Sequence, residues 1–196
     1  MIYFTSDHHF DHNNVIKYCD RPYVSVQEMN EMLIKNWNDT VKPEDEVYYL
    51  GDFSLSFKPV LEVTHRLNGK KYLVPGNHDF CHTSHKKGRS PEKLAKQIKA
   101  YEDAGWIVLP QETTLDIPGV ATVNLCHVPY HTVNWDGPDK YKSIRPKDDG
   151  KWLLCGHVHQ IWKVVGRMIN VGVDVWDMKP VSIEEISKII CTSSII

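Results

Sequence analysis

Cysteine is sparse and unpatterned in this chain. Cys19, Cys81, Cys126, Cys155 and Cys191 are five over 196 residues, an odd number with no Cys-x-x-Cys pair. That excludes a disulfide framework, disfavours a thiolate metal site, and predicts reduced thiols in a cytoplasm. No apolar run approaches the roughly 20 residues of a membrane span, so no membrane partner is expected. The opening Met1-Ile-Tyr-Phe-Thr lacks both a basic n-region and an apolar h-region, so a signal peptide is not expected. Charge of either sign is not in excess: 23 Lys+Arg against 25 Asp+Glu leave −2. That argues against a surface that coats nucleic acid, although a local basic groove stays open. Repeats, low-complexity tracts and linkers are all missing. With 41% hydrophobic and 24% charged residues the chain has a globular balance. Its length suits one core, so a single domain over 1–196 is expected.

What is there, in number, is histidine: eleven, and their places matter more than their count. The coarse pattern predicts strands at Ile2–Thr5, Glu46–Leu50 and Lys71–Val74, interleaved with helices. One helix starts at Ser25, where Ser25 and Glu28 have capping-box spacing; a second covers Pro59–Leu67; a third follows Ser90-Pro91 and closes at Gly105. After it come Trp106–Leu109, Thr113–Ile117, Ala121–Cys126, Trp152–Cys155, Ile161–Val165 and Met168–Val173, all strand-like, and a last helix at Ser182–Ile190. Alternation first and consecutive strands later predict a layered α/β fold, a mixed sheet or β-sandwich core flanked by helices.

Several of these strands end in residues of metal-ligand type. The first delivers Asp7 and His9, the second Asp52, the third Asn77, His78 and Asp79. Ala121–Cys126 delivers His127, and Trp152–Cys155 delivers Gly156-His157-Val158-His159. In a parallel sheet such ends gather on one rim, where open α/β sheets bind ligands. Carboxylate, amide and imidazole form an O/N set suited to Mn²⁺, Fe²⁺, Zn²⁺ or Ni²⁺.

In order and type, Asp7-x-His9, Gly51-Asp52, Gly76-Asn77-His78-Asp79, His127 and Gly156-His157-x-His159 resemble the five blocks of the calcineurin-like metallophosphoesterases. Thr5-Ser-Asp-His-His-Phe-Asp-His12, Arg21-Pro22 and Asn170-Val-Gly-Val-Asp174 are similar to a small bacterial and phage subgroup. Two neighbours depart from the family pattern: Phe53-Ser54-Leu55 carries no second aspartate, and Cys126 stands where glycine is usual before His127.

The resemblance implies two divalent metals, Mn²⁺ foremost, bridged by Asp52. One would be completed by Asp7, His9 and His159, the other by Asn77, His127 and His157. It implies hydrolysis of a phosphate ester by in-line attack of a hydroxide held between the two ions. His78 would protonate the leaving oxygen, and Asp79 would orient its ring. His12 and Arg21 are the types to hold a phosphate oxygen, Arg through its planar fork. His8, one residue out of phase, points to the other face. The long stretch between the first and second blocks, with the Ser25 helix inserted, is where a wall of the substrate site would stand.

Cys81–Lys99 is basic through Lys86, Lys87, Arg89, Lys93, Lys96 and Lys99. Its first residues, His82, His85 and Lys86, are expected near the site, and its helical lysines on a solvated face. Val128–Gly150 is a long loop whose Tyr130, His131, Trp135 and Tyr141 either stack a base or pin the loop. The favoured reading is a phosphodiesterase acting on a small phosphate ester or nucleotide. A phosphomonoesterase for nucleotides or proteins stands beside it. A nuclease, with nucleic acid as partner, and a non-catalytic scaffold stand further off.

Overall fold

The computed structural model describes residues 1–85, 90–133 and 138–193. The first half alternates: β1 (Ile2–Thr5), α1 (Asn13–Tyr18), α2 (Val26–Thr40), β2 (Glu46–Tyr49), α3 (Lys58–Glu62), β3 (Lys70–Leu73), α4 (Pro91–Asp103) and β4 (Trp106–Val108). The second half is mostly strand: β5 (Glu112–Ile117), β6 (Ala121–Cys126), β7 (Leu153–Cys155), β8 (Val164–Val165), β9 (Met168–Asn170) and β10 (Val181–Ser182), then α5 (Ile183–Ser193). The caps read from sequence are in place. Ser25 Oγ accepts the Glu28 N–H at 3.2 Å and Ser90 Oγ the Lys93 N–H at 3.3 Å. Glu28 reaches back to the Val24 N–H at 2.8 Å, one residue beyond the usual capping-box partner.

The described strands form two five-stranded sheets, ordered β10-β1-β2-β3-β4 and β5-β6-β7-β9-β8. β1 to β4 run parallel with β10 antiparallel at the edge. In the second sheet β6, β7 and β9 are parallel and the outer strands antiparallel. The period of two decides the layers. Val47 and Tyr49 face a core shared with Met29, Leu33 and Trp37 of α2 and Tyr101 of α4. Phe4 and Leu50 face the second sheet, packing with Val123, Leu125, Leu154 and Ile169. The architecture is therefore mixed α/β, two mixed sheets flanked by helices, as expected. No described helix is long and apolar enough to cross a membrane.

Three local expectations need correction. The helix expected over Pro59–Leu67 stops at Glu62 and gives way to a 3₁₀ turn at Thr64–Arg66, where Thr64 Oγ1 accepts the Trp106 indole N–H at 2.9 Å. The strand expected at Ile161–Val165 shrinks to Val164–Val165, because the Asn170 amide holds the carbonyls of His159 and Trp162 at 2.7 and 2.9 Å in a non-extended loop. The strand expected to reach Val173 ends at Asn170, whose Oδ1 takes the Gly172 N–H at 2.8 Å and turns the chain.

Candidate metal centre

Every ligand-type residue named above follows the C-terminal end of β1, β2, β3, β6 or β7, so the parallel segments bring them to one rim. The loops are laced together there: Asp7 N–H donates to Gly51 O at 3.0 Å, His9 N–H to Asp52 O at 3.2 Å, and Gly156 N–H to His127 O at 2.9 Å. Two glycines allow this approach. A Cβ on Gly76 would collide with Asp52 Oδ1, and one on Gly156 with Asp7 Oδ2 and Ser6 Oγ. Asp7, His9, Asp52, His157 and His159 all have positive φ, from 48° to 73°. Asp and His tolerate that region better than most residues, yet five such positions on one rim mark a site held against local backbone preference.

The side chains form two adjoining groups. In the first, Asp7 Oδ1 lies 3.9 Å from His9 Nε2 and 4.0 Å from His159 Nε2. In the second, ligand atoms of Asp52, His127 and His157 lie within 4.8 Å of one another. Asp52 Oδ2 faces both groups, 3.2 Å from His127 Nε2 and 3.7 Å from His9 Nε2. Asn77 sits between Gly76 and His78, and the His78 N–H donates to Asp52 Oδ1 at 2.9 Å.

The donor atoms fit cations. Asp7 Oδ2 is used, accepting from Ser6 Oγ at 2.5 Å and the His157 N–H at 3.0 Å, while Asp7 Oδ1 is buried without a hydrogen-bond partner. Asn77 Oδ1 is buried in the same condition, and His127 Nε2 has only Asp52 Oδ2 beside it, at 3.2 Å. A buried polar atom left unpaired costs about 1–3 kcal/mol, so two on one rim beside a histidine–carboxylate pair fit an occupant. His127 Nδ1 donates to Leu50 O at 2.6 Å, which leaves the Nε2 lone pair toward Asp52, the arrangement of a metal-ligating imidazole.

Charge on the rim is uneven. Burial raises the Asp7 carboxyl above its ordinary value. Burial acts the same way on Asp52, but the neighbouring His127 ring overcomes it and holds that carboxylate well below the usual range. Burial alone would lower His127; the Asp52 and Asp7 charges lift it to about 9. His159 is lifted to about 11 against its burial by Asp174, and burial drives His157 down to about 3. A cation at this rim therefore displaces protons from His127 and His159.

Two expected roles are overturned. Asp79 does not orient His78: its carboxylate accepts the backbone N–H groups of Asp52 (2.9 Å), Phe53 (3.2 Å) and Gly76 (2.8 Å), a buried brace between two ligand loops. Arg21 is not available to phosphate. Its guanidinium is fully buried, paired with Asp174 at 2.7 and 3.0 Å and bonded to the carbonyls of Asp7 (2.6 Å) and His8 (2.7 Å).

His78, its side chain 44% exposed, lies on the cleft with its Nε2 4.0 Å from Asp52 Oδ2. His12 also lines the cleft, its ring 5.9 Å from that of His9. His8 points away into the helix-side core, as its phase predicts, against Phe10, Trp37 and Tyr49. The stretch between the first and second blocks does line the cleft, through the unforeseen α1 with Val15 and Tyr18, while Met29, Leu33 and Trp37 bury α2 on the sheet. His82 and His85 do not line it either. His82 is buried with its Nδ1 on Ser84, and His85 stacks on Phe80 at 4.8 Å. Lys93, Lys96 and Lys99 lie exposed on α4, while Lys86, Lys87, Arg89 and Trp135 lie outside the described residues. Tyr130 pins its loop through Asn124 at 2.8 Å, and Tyr141 sets its ring edge-on to His157, centroids 4.3 Å apart.

The residues that sequence reasoning left without a role are Asp174 and Asn170. Both are polar positions in an otherwise apolar stretch, which is the signal that marks them.

Two cavities open onto the rim. One of about 420 Å³ is lined by His9, His12, Tyr18, Leu55, His78 and His159. The other, of about 250 Å³, lies beyond His157 between Pro129, Val133, Tyr141 and Arg145. His157, Val158 and Ile161 form the wall they share.

This rim of aspartates, asparagine and histidines over a double sheet offers the donor set of a divalent-cation centre, and the family that the chain matches is one of metal-dependent phosphoesterases. Residues 1–161 match the family described as calcineurin-like phosphoesterase, and the chain belongs to that family. It is 34% identical to an uncharacterized protein of Methanocaldococcus jannaschii, over 96% of this chain and 90% of that one. It is 31% identical to the Gene 66 protein of Mycobacterium phage L5, over 89% of this chain and 86% of the phage protein, in keeping with the bacterial and phage subgroup. Among solved structures, a protein of unknown function from Aquifex aeolicus superposes with a TM-score of 0.67 at 27% identity, covering 97% of this chain and 99% of that one.

Proposed function

We propose that the chain is a phosphodiesterase that works with two divalent cations, Mn²⁺ foremost, one at Asp7, His9 and His159 and one at Asn77, His127 and His157, with Asp52 between them. The observation that carries this is the pair of adjoining ligand groups facing a common Asp52 Oδ2, with buried donor atoms left unpaired. Bound there, cations would polarise a phosphoryl group and bring the pKa of a water toward neutrality. His78, exposed on the cleft beside Asp52, donates the proton to the departing oxygen. His12 supports the same substrate from the rim.

Two features favour a diester over a monoester. A phosphate monoester carries about −1.5 to −2 charge at neutral pH and wants cationic side chains beyond its metals. Among the described residues no lysine or arginine lines the cavity that holds His78, since Arg21 is spent on Asp174; of the two that line the adjoining cavity, Lys140 and Arg145, the second is paired with Asp139. A diester has two organic groups, and two cavities meet at His157 to seat them. A cytoplasmic small ester or nucleotide is the substrate this reading names.

The test is hydrolysis of bis-p-nitrophenyl phosphate and p-nitrophenyl phosphate by the metal-stripped chain, with Mn²⁺, Ni²⁺, Zn²⁺ or Mg²⁺ restored. Diester cleavage that follows the metal supports the reading. Preference for the monoester transfers the site to a phosphatase. No metal bound and no turnover would leave a scaffold.

A further inference from the structure

We propose that Asp174, clamped by Arg21, is a positioning residue for one of the two cation seats, fixing His159 so that its Nε2 lone pair faces Asp7 and His9. The inference rests on the two-cation reading above and adds the device that holds one seat's imidazole in place. Asp174 Oδ2 accepts the His159 Nδ1–H at 2.8 Å. Its Oδ1 accepts the Arg21 Nε–H at 2.7 Å, and Arg21 Nη2 donates to Oδ2 at 3.0 Å. The carboxylate side chain is 1% exposed and that of Arg21 is 0% exposed, so no water competes for these bonds.

The remaining guanidinium bonds matter as much. They end on the carbonyls of Asp7 and His8, the loop that carries the other two ligands of the same seat. One planar cation thus ties the Asp7–His9 loop, which follows β1, to Asp174, which follows β9, and through Asp174 to His159, which follows β7. Asn170 completes the frame from below by holding the His159 carbonyl at 2.7 Å. A metal-ligating imidazole commonly donates its other N–H to a carboxylate, and loss of that partner costs about 10–100-fold in metal affinity. Cys19, His159 and Asp174 also lie within ligand distance of one another. Both oxygens of Asp174 already accept N–H donors, so that trio is a relay and not a third cation seat.

The chemistry makes an asymmetric prediction. Asp174→Asn replaces one carboxylate oxygen by NH₂ and removes the negative charge. An oxygen left at the Oδ2 place still accepts from His159 Nδ1 and Arg21 Nη2 but sets the NH₂ against the Arg21 Nε–H, and one left at the Oδ1 place turns the NH₂ on His159 Nδ1 and drives the ring proton to Nε2. Either way the His159 ring loses its anionic acceptor, and the seat at Asp7 and His9 weakens. The second group, built on Asp52, Asn77, His127 and His157, has no bond to Asp174 and keeps its ion.

The experiment is metal content by elemental analysis after dialysis against a Mn²⁺ series, wild type beside Asp174→Asn, with circular dichroism to establish that the variant folds. Two ions per wild-type chain are expected, and in the variant one of the two should bind about 10–100-fold more weakly. Nitrogen-15 NMR of the wild type loaded with diamagnetic Zn²⁺ should show a protonated His159 Nδ1, a readout that needs no variant. Two ions held equally well by both proteins, or an unprotonated Nδ1 in the wild type, would overturn the positioning role alone. A wild type that takes up no ion would overturn the two-cation reading first and this inference with it.

Discussion

Tyr49 Oη stands 3.0 Å from His8 Nδ1 and accepts the His8 backbone N–H at 3.1 Å, so one phenol fixes both ends of a histidine flanked by ligands. The ring is fully buried and neutral. Burial, and after it the Arg21 charge, lowers its pKa to about 3. The unfolded chain takes up that proton near pH 6.5 and the fold does not until about pH 3. His8 therefore contributes stability that is whole above pH 6.5 and lost as pH falls through that window, at up to about 1.4 kcal/mol per unit. Urea unfolding of metal-free protein at pH 7.5, 6 and 5 should show a smaller fall for His8→Asn than for wild type. Parallel falls would mean the proton is taken up elsewhere.

Gly76 is where the backbone must pass against the Asp52 carboxylate. Gly76→Ala drives a methyl into Asp52 Oδ1 and the Asp52 amide, backbone that cannot step aside. Overpacking of that kind costs about 1–3 kcal/mol, and here it also turns the carboxylate that faces both ligand groups. The expected result is a lower unfolding midpoint together with weaker Mn²⁺ uptake. A variant that melts lower but binds metal as the wild type does would detach Asp52 from both seats.

Asp79 separates two readings of one residue. As a brace for three backbone amides, its loss leaves buried N–H groups unpaired, so Asp79→Ala should cost about 2–4 kcal/mol of stability. Asp79→Asn should fare little better, because its NH₂ faces amide donors. Neither should move the pH profile of turnover in protein that remains folded. A stable Asp79→Asn with a shifted profile would return the residue to the side of His78.

The comparison of Asp79 and Arg21 with the ligands shows what a sequence can and cannot disclose. Asp7, Asp52, His127 and His157 were legible because each stands just past an apolar, β-branched or aromatic run, and parallel strands must end together. Layering was legible from strands alternating with helices early in the chain and following one another later. The partners of Arg21 were not, since Asp174 lies 153 positions away and no local period connects them. The helix α1 escaped notice because Asn13–Tyr18 is six residues long with a single buried side chain, too short for any period to show. Asp79 misled for the opposite reason: adjacency in sequence to His78 suggested contact, but the turn at Gly76 sends the two side chains to different places.

His78 is exposed at the cleft while its main-chain N–H is bonded to Asp52, so its ring can change without loosening the rim. His78→Ala should leave metal content unaltered and lower kcat by about 10²–10⁴-fold, the usual share of a general acid. The loss should depend on the leaving group. A p-nitrophenolate departs readily without a proton, so bis-p-nitrophenyl phosphate should suffer least, whereas a diester with an alkyl leaving group should approach the full loss. Steady-state rates of wild type and variant on the two esters, at equal Mn²⁺ occupancy, give the comparison. An equal loss on both esters would remove proton donation and leave His78 only an electrostatic contact to the phosphoryl group, and a fall in bound metal would make it a ligand.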